Sequence, residues 1–308
     1  MTNQDSEERA DERGPLIPAR VLGVTAIFCA AVLVTITVLG PVGFGQIQYR
    51  ISQSGLYQTE GFDITDLVLL APILVVGGVL ALMKRGIAKY FLILPPLTLF
   101  YTGLAFGTGQ EYSNPAMPGN VQDYFGLYLA LMIGGIILLL GSITSFEPKD
   151  APRLNLRGLR IYVALMSIFL LVFAGMWVSQ VIQVINTGNL SDGSYAASPT
   201  AFWSIKYLDL GLTIPVGLIA MILLLSKPRS AYPLVLTFFG FFVTLGTAVN
   251  AMALVEVLKN DPALASSAAG LVVFPVLGVL SWGGFLYLVR DKLHGVLSRT
   301  HAGGSVQR

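Results

Sequence analysis

The chain has 308 residues and a formal net charge of +2; 54% of its residues are apolar and 12% are charged, where soluble domains carry about 25%. With a mean hydropathy of +0.72 there is too little charge to cover a water-facing surface, so the chain reads as lipid-solvated, and so small a net charge argues against a nucleic-acid partner. The single cysteine, Cys29, excludes an intrachain disulfide framework, and the only histidines, His294 and His301, lie in the last fifteen residues, so no cofactor and no metal site inside the membrane are expected.

An acid-rich tail, 1–20, precedes the first apolar stretch at 21–39. Further stretches follow at 65–83, 90–107, 124–143, 161–185, 205–225, 232–258 and 268–289. Crossing a hydrocarbon core takes about 20 residues per helix, so eight transmembrane helices are predicted and no separate soluble domain fits. The first run resembles a signal peptide in following Arg20, but its length and the acids Asp5, Glu7, Glu8, Asp11 and Glu12 ahead of it favour a retained helix. The predicted organisation is a tail at 1–20, a first four-helix repeat at 21–145, a linker at 146–160, a second repeat at 161–289 and a tail at 290–308.

Charge in the connections predicts the orientation, because Lys and Arg are retained on the cytoplasmic side. Only Arg50, Lys206 and Lys259 fall on one side; the rest of the 19 basic residues fall on the other. Both termini are therefore expected in the cytoplasm and the chain in the plasma membrane, with the lipid bilayer as its first partner. Asn189-Leu190-Ser191 forms a glycosylation acceptor on the outer side, meaningful only in a secretory-pathway host.

A shift of 143 residues lays the first four stretches on the last four. Asp66, Leu67, Leu69, Pro72, Leu80, Leu82 and Lys84 recur as Asp209, Leu210, Leu212, Pro215, Leu223, Leu225 and Lys227. The same shift pairs Gly103 with Gly246, Ala105 with Ala248, Gly135 with Gly278 and Gly141 with Gly284. An even number of spans per unit makes the repeats parallel, related by a pseudo-twofold axis along the membrane normal. The expected fold class is thus an all-α membrane protein of two tandem parallel four-helix repeats.

The segment Leu208-Asp209-Leu210-Gly211-Leu212-Thr213-Ile214-Pro215, the turn at Lys227 and Met83-Lys84-Arg85-Gly86 resemble a family of uncharacterised prokaryotic multi-pass membrane proteins. Its Leu-Asp-Leu-Gly-Leu-x-x-Pro helix is followed by a basic turn, and an earlier helix ends in a basic-Arg-Gly turn. Phe106-Gly107, Asn114 and Phe125-Gly126-Leu127-Tyr128 resemble its third connection, here longer. The resemblance covers about residues 60–258 and implies a membrane protein without an assigned activity or catalytic residue.

Asp66 and Asp209 are the most informative side chains. Each stands 18 residues before its basic turn, or about 27 Å along a helix, near the outer interface. Each precedes a proline by six positions, and Pro72 and Pro215 are expected to kink their helices and free the carbonyls of Val68 and Gly211. An acid beside a freed carbonyl suits a cation or a water; the alternative is an acid near a helix N-terminus, held by the dipole. The shift also pairs Asp63 with Lys206, which is placed to meet Asp209 on its own helix or Asp63 and Asp66 across the axis. Thr37, Ser179, Gln180, Gln183, Asn250 and Glu256 add polarity to the outer half, either lining a cavity or hydrogen-bonding between helices. Tyr49, Tyr57, Phe62, Tyr112, Tyr124, Phe125, Tyr195, Phe202, Trp203 and Tyr207 read as an interfacial belt.

Three functional classes follow. The first is a small-solute or ion transporter binding its solute or cation at Asp66, Asp209, Lys206, Asn250 and Gln180. A nonenzymatic membrane scaffold or assembly partner is the alternative. An intramembrane enzyme on a lipid-linked substrate ranks last, because no catalytic motif accompanies the acids.

Overall fold

The structure is a computed structural model that describes residues 15–152, 154–187, 195, 198–262 and 270–303. The acceptor Asn189-Leu190-Ser191, the acidic tail and Arg9, Arg13, Arg153 and Arg308 lie outside the described residues, as do the side chains of His294, Arg299 and His301. No strand occurs among the described residues. Eight helices are long and apolar enough to cross a membrane: α1 Ala19–Leu39, α2 Gln53–Leu82, α3 Ala88–Thr108, α4 Val121–Thr144, α5 Arg157–Thr187, α6 Pro199–Ser226, α7 Pro228–Leu258 and α8 Val272–Lys292. The chain is an all-helical polytopic membrane protein.

Several boundaries differ from the sequence reading. Helix α2 begins twelve residues before the predicted span, because Ser52 accepts the Gly55 N–H at 3.2 Å and caps a polar first half. Helix α6 likewise begins at Pro199, where proline's missing N–H is harmless. The helix of α5 already starts at Leu156, inside the expected linker, and that of α8 runs on to Gly303, into the expected tail. As a result Asp66 and Asp209 lie well inside their helices, and the N-terminal dipole does not hold them.

The expected proline kinks take a specific form. In α2 the five residues Asp66–Leu70 form a π turn, and the Ala71 N–H reaches back to the Asp66 carbonyl. In α6 Asp209–Thr213 form another, with the Ile214 N–H on the Asp209 carbonyl. Each widened turn ends just before the proline and takes up the register that the missing donor would break.

Helix neighbours follow one order in each half. Helix α1 packs on α2 and α4, and α3 joins α2 to α4; α5 packs on α6 and α8, and α7 joins α6 to α8. The offset-related glycines fall at corresponding contacts. A Cβ at Gly135 would meet the α3 backbone, whereas Gly278 faces α7; one at Gly141 would meet Leu22 of α1, and one at Gly284 would meet Tyr162 of α5. Small residues there let helices approach where lipid offers no hydrophobic drive to do so.

Between the halves, α3 meets α7, α2 packs its distal half on α7, and α6 packs its distal half on α3. Thr98 and Thr244 hydroxyls meet across α3 and α7 at 2.6 Å; Thr244 donates to the Gly240 carbonyl, so Thr98 is the donor between them. Gly61 approaches the Met252 backbone so closely that no larger residue fits. At the basic end, Asp150 in the connection between halves binds Lys89, accepts the Glu147 N–H at 2.8 Å and lies 3.8 Å from Lys292. Burial disfavours the Asp150 charge, but the Glu147 N–H, Lys89 and Lys292 outweigh it and hold the carboxyl below its ordinary value.

Candidate functional site

The acid-bearing end of the bundle holds two polar clusters, one on each π-turned helix. In α6, Asp209 and Lys206 are both 6% exposed. Trp177 of α5 donates its indole N–H to Asp209 Oδ2 at 2.8 Å, and Thr213 presents its hydroxyl to the same carboxyl. Lys206 Nζ lies 3.3 Å from the centre of the Trp177 ring and 4.6 Å from that of Phe202, within electrostatic reach of Asp209. Indole thus joins both charges, giving N–H to the anion and its π face to the cation. Tyr101 of α3 also lies within reach of Asp209, which turns this cluster toward the interface between halves. Gln180, about one turn beyond Trp177, has a buried Oε1 with no hydrogen-bond partner among the described residues.

The cluster of α2 has another composition. Asp63 and Asp66 are 3% and 2% exposed, and Asp63 Oδ2 and Asp66 Oδ1 are buried with no hydrogen-bond partner among the described residues. The charges acting on them are acidic: Glu60 on Asp63, and Asp63 on Asp66. Around them stand Thr37, whose buried hydroxyl is likewise without a partner, and the phenols of Tyr49 and Tyr128, bonded to each other at 2.7 Å. Burial first, then Tyr128, Asp63 and Asp66, hold the Tyr49 phenol well above its ordinary value, so it remains a donor. Beyond Tyr128 lies a cavity of about 220 Å³ lined by Gly107, Tyr112, Val121, Gln122, Phe125 and Tyr128.

Of the residues singled out in the sequence, Lys206 and Asp209 come together, with Gln180 on the adjoining helix α5. Asp66 belongs to the other cluster. Asp63, Tyr49 and Tyr128 lie within its electrostatic reach, whereas Asp209 has Trp177, Lys206 and Thr213. Asn250 bridges two helices, donating to Gly246 of its own helix at 2.7 Å and to Phe274 of α8 at 3.1 Å. Glu256 is likewise engaged between helices, by Ser54 at 3.2 Å and Gln58 at 2.8 Å.

Asp63, Tyr128 and Trp177 were not among the predicted site residues. Asp63 carried a signal, since three-residue spacing from Asp66 places both acids on one helix face. Tyr49, Phe62 and Phe202, read as belt residues, are core side chains, while Tyr112, Phe125 and Tyr207 are exposed as a belt requires. Among the described residues no group of three or more His, Cys, Asp or Glu is placed to hold a metal ion. No family model, curated protein or solved structure matches the chain.

Proposed function

We propose that the protein is a small-solute or ion transporter of the plasma membrane, built from two parallel four-helix repeats, with its basic end and both termini in the cytoplasm. The reading rests above all on the buried acids of two π-turned helices. Keeping Asp63 Oδ2 and Asp66 Oδ1 buried at membrane depth with no hydrogen-bond partner among the described residues is costly for a passive bundle and ordinary for a site that takes up a positive charge. Corresponding neighbour order, glycine contacts and π turns at a 143-residue spacing support duplication. Kinship with the multi-pass family carrying the Leu-Asp-Leu-Gly-Leu-x-x-Pro helix is part of the proposal and rests on the motif.

The test is flux into proteoliposomes, read with labelled sodium and with a trapped pH-sensitive dye under an imposed gradient. Flux above that of empty vesicles, lost in Asp66→Asn and reduced in Asp209→Asn, is the expected result. Wild-type flux equal to that of empty vesicles rejects transport. One set of observations favours the scaffold reading: Asn250, Glu256 and the Thr98–Thr244 pair are all engaged in contacts between helices. On that reading both Asp substitutions lower thermal stability in detergent and no flux occurs.

A further inference from the structure

We propose that Asp63 and Asp66 of α2 together hold one exchangeable proton, which reaches the distal surface past the Tyr49–Tyr128 hydroxyl pair. This deepens the transport reading by naming the coupling ion, and it rests on that reading for its purpose though not for its chemistry.

The first argument is the setting of Asp63. A Cβ built on Gly40 would lie 2.9 Å from Asp63 Oδ2, 2.9 Å from the Ile36 carbonyl and 3.5 Å from the Thr37 carbonyl. The carboxyl is therefore pressed against the C-terminal turn of α1. The Gly40 N–H turns to the Thr37 carbonyl, so it does not make the i to i−4 bond that would satisfy Ile36. A helix C-terminus carries about half a negative charge. Asp63 thus faces a helix C-terminus and a second carboxyl three residues away, and its Oδ2 accepts no hydrogen bond from the described residues. Two ionised acids there repel each other and the dipole; a shared proton removes one charge and gives one carboxyl an O–H to donate.

The second argument is internal to the molecule. At the spacing that pairs Asp66 with Asp209, position 63 corresponds to Lys206. In α6 a buried ammonium over Trp177 supplies the positive charge covalently. In α2 an acid stands at that position, so the positive charge must come from solvent.

Other charges on neighbouring elements are already engaged. On α7, Lys259 pairs with Glu60 at 3.0 Å, and Glu256 is held by Ser54 and Gln58. In the α1–α2 connection, Arg50 contacts Gln110 through its backbone N–H and Gln122 through its side chain. Helix α1 contributes only the Thr37 hydroxyl, and α4 contributes Tyr128. One phenol of the Tyr49–Tyr128 pair donates to the other, so the acceptor keeps a second O–H proton to offer. Tyr128 also lines the distal cavity, so the pair connects the surroundings of the acids with that space. The transfer is a proton exchange alone: a carboxylic O–H breaks, a carboxylate remains, and the proton passes to water in the cavity.

Infrared spectroscopy of the full-length protein in detergent tests this through the C=O stretch of a protonated carboxylic acid. The wild type at about pH 7, where exposed carboxyls are ionised, is expected to show one such group per chain that deuterium exchange shifts. It is lost in the Asp63→Asn/Asp66→Asn double variant and kept in Asp209→Asn. A wild type without the band overturns the proposal, and needs no variant to fold. A band that survives in the double variant overturns it too, as does one abolished by sodium at constant pH, which assigns the site to a metal cation. The band without vesicle flux leaves the proton site standing and removes transport; flux without the band does the reverse.

Discussion

A carboxylate withdrawn from water needs a donor, a counter-charge or a proton, and the described acids divide these among themselves. Asp209 takes a donor from Trp177 and a counter-charge from Lys206. Trp177→Phe keeps the ring stacked near Lys206 but removes the N–H, and is expected to cost about 1 to 3 kcal/mol of stability in detergent. Combining it with Asp209→Leu should recover part of that loss, a coupling that a double-mutant cycle reads directly. Asp150 takes two ammonium groups and a backbone N–H. Its carboxyl lies lower in the folded than in the unfolded chain, so its contribution is complete above the unfolded value, about pH 4. That contribution disappears as pH falls through the folded value. Melting curves across an acid series should therefore show a decline below about pH 4 that is smaller in Asp150→Asn. Asp66 and Asp209 were legible in the sequence because an acid in an apolar run is conspicuous. Trp177 and Tyr128 were not, because their partners are chosen by tertiary packing, across 32 residues for Trp177 and 79 for Tyr128.

Among the helices, hydropathy located all eight and placed the beginnings of α2, α5 and α6 too late. The first half of α2, Gln53–Thr65, contains Gln53, Ser54, Gln58, Thr59, Glu60 and Asp63, so an apolar window passes over it. It is helical because Ser52 caps it and because it packs on α7, where Ser54 and Gln58 meet Glu256. A long-range contact of that kind leaves no local trace. The π turns were equally invisible; the prolines announced a disturbance, and only the backbone shows that the helix widens there. Glycine placement separates the halves in a measurable way. A methyl at Gly135 would lie 2.8 Å from the Pro96 carbonyl and 3.0 Å from the Phe100 nitrogen, both backbone atoms that cannot step aside. At Gly278 the nearest atom is the Asn250 side-chain nitrogen at 3.3 Å, a side-chain atom that needs to give by only a few tenths of an ångström. Gly135→Ala should accordingly lower stability by about 1 to 3 kcal/mol, and Gly278→Ala by much less, as thermal unfolding of the two purified variants will reveal. Equal losses would mean that α7 and α8 are packed as tightly as α3 and α4.

For the whole molecule, the central question is which end faces which compartment, since a proton site has a direction only relative to the bilayer. The basic residues Lys84, Arg85, Lys227 and Arg229 lie at one end of the bundle, and the acids with their phenols lie toward the other. If positive charge governed insertion, the acid clusters open to the outside and the Asp150 network faces the cytoplasm. Cysteine labelling is well suited to this chain, because its one native cysteine, Cys29, is buried and needs no replacement. Ser113 and Pro262 are exposed on distal connections, whereas Gly86 and Ser230 are exposed at the basic end, and a Cβ at Gly86 meets nothing within 4 Å. A membrane-impermeant maleimide applied to intact cells should modify Ser113→Cys and Pro262→Cys, and should reach Gly86→Cys and Ser230→Cys only after permeabilisation. Agreement between positions from the two halves is the informative part. Parallel repeats require Ser113 and Pro262 to label together, because each lies in the connection between the third and fourth helices of its own half. If one labels in intact cells and the other does not, the halves enter the membrane in opposite senses. A pseudo-twofold axis along the normal would then be impossible, and the pairing of Asp63 with Lys206 would lose its geometric basis.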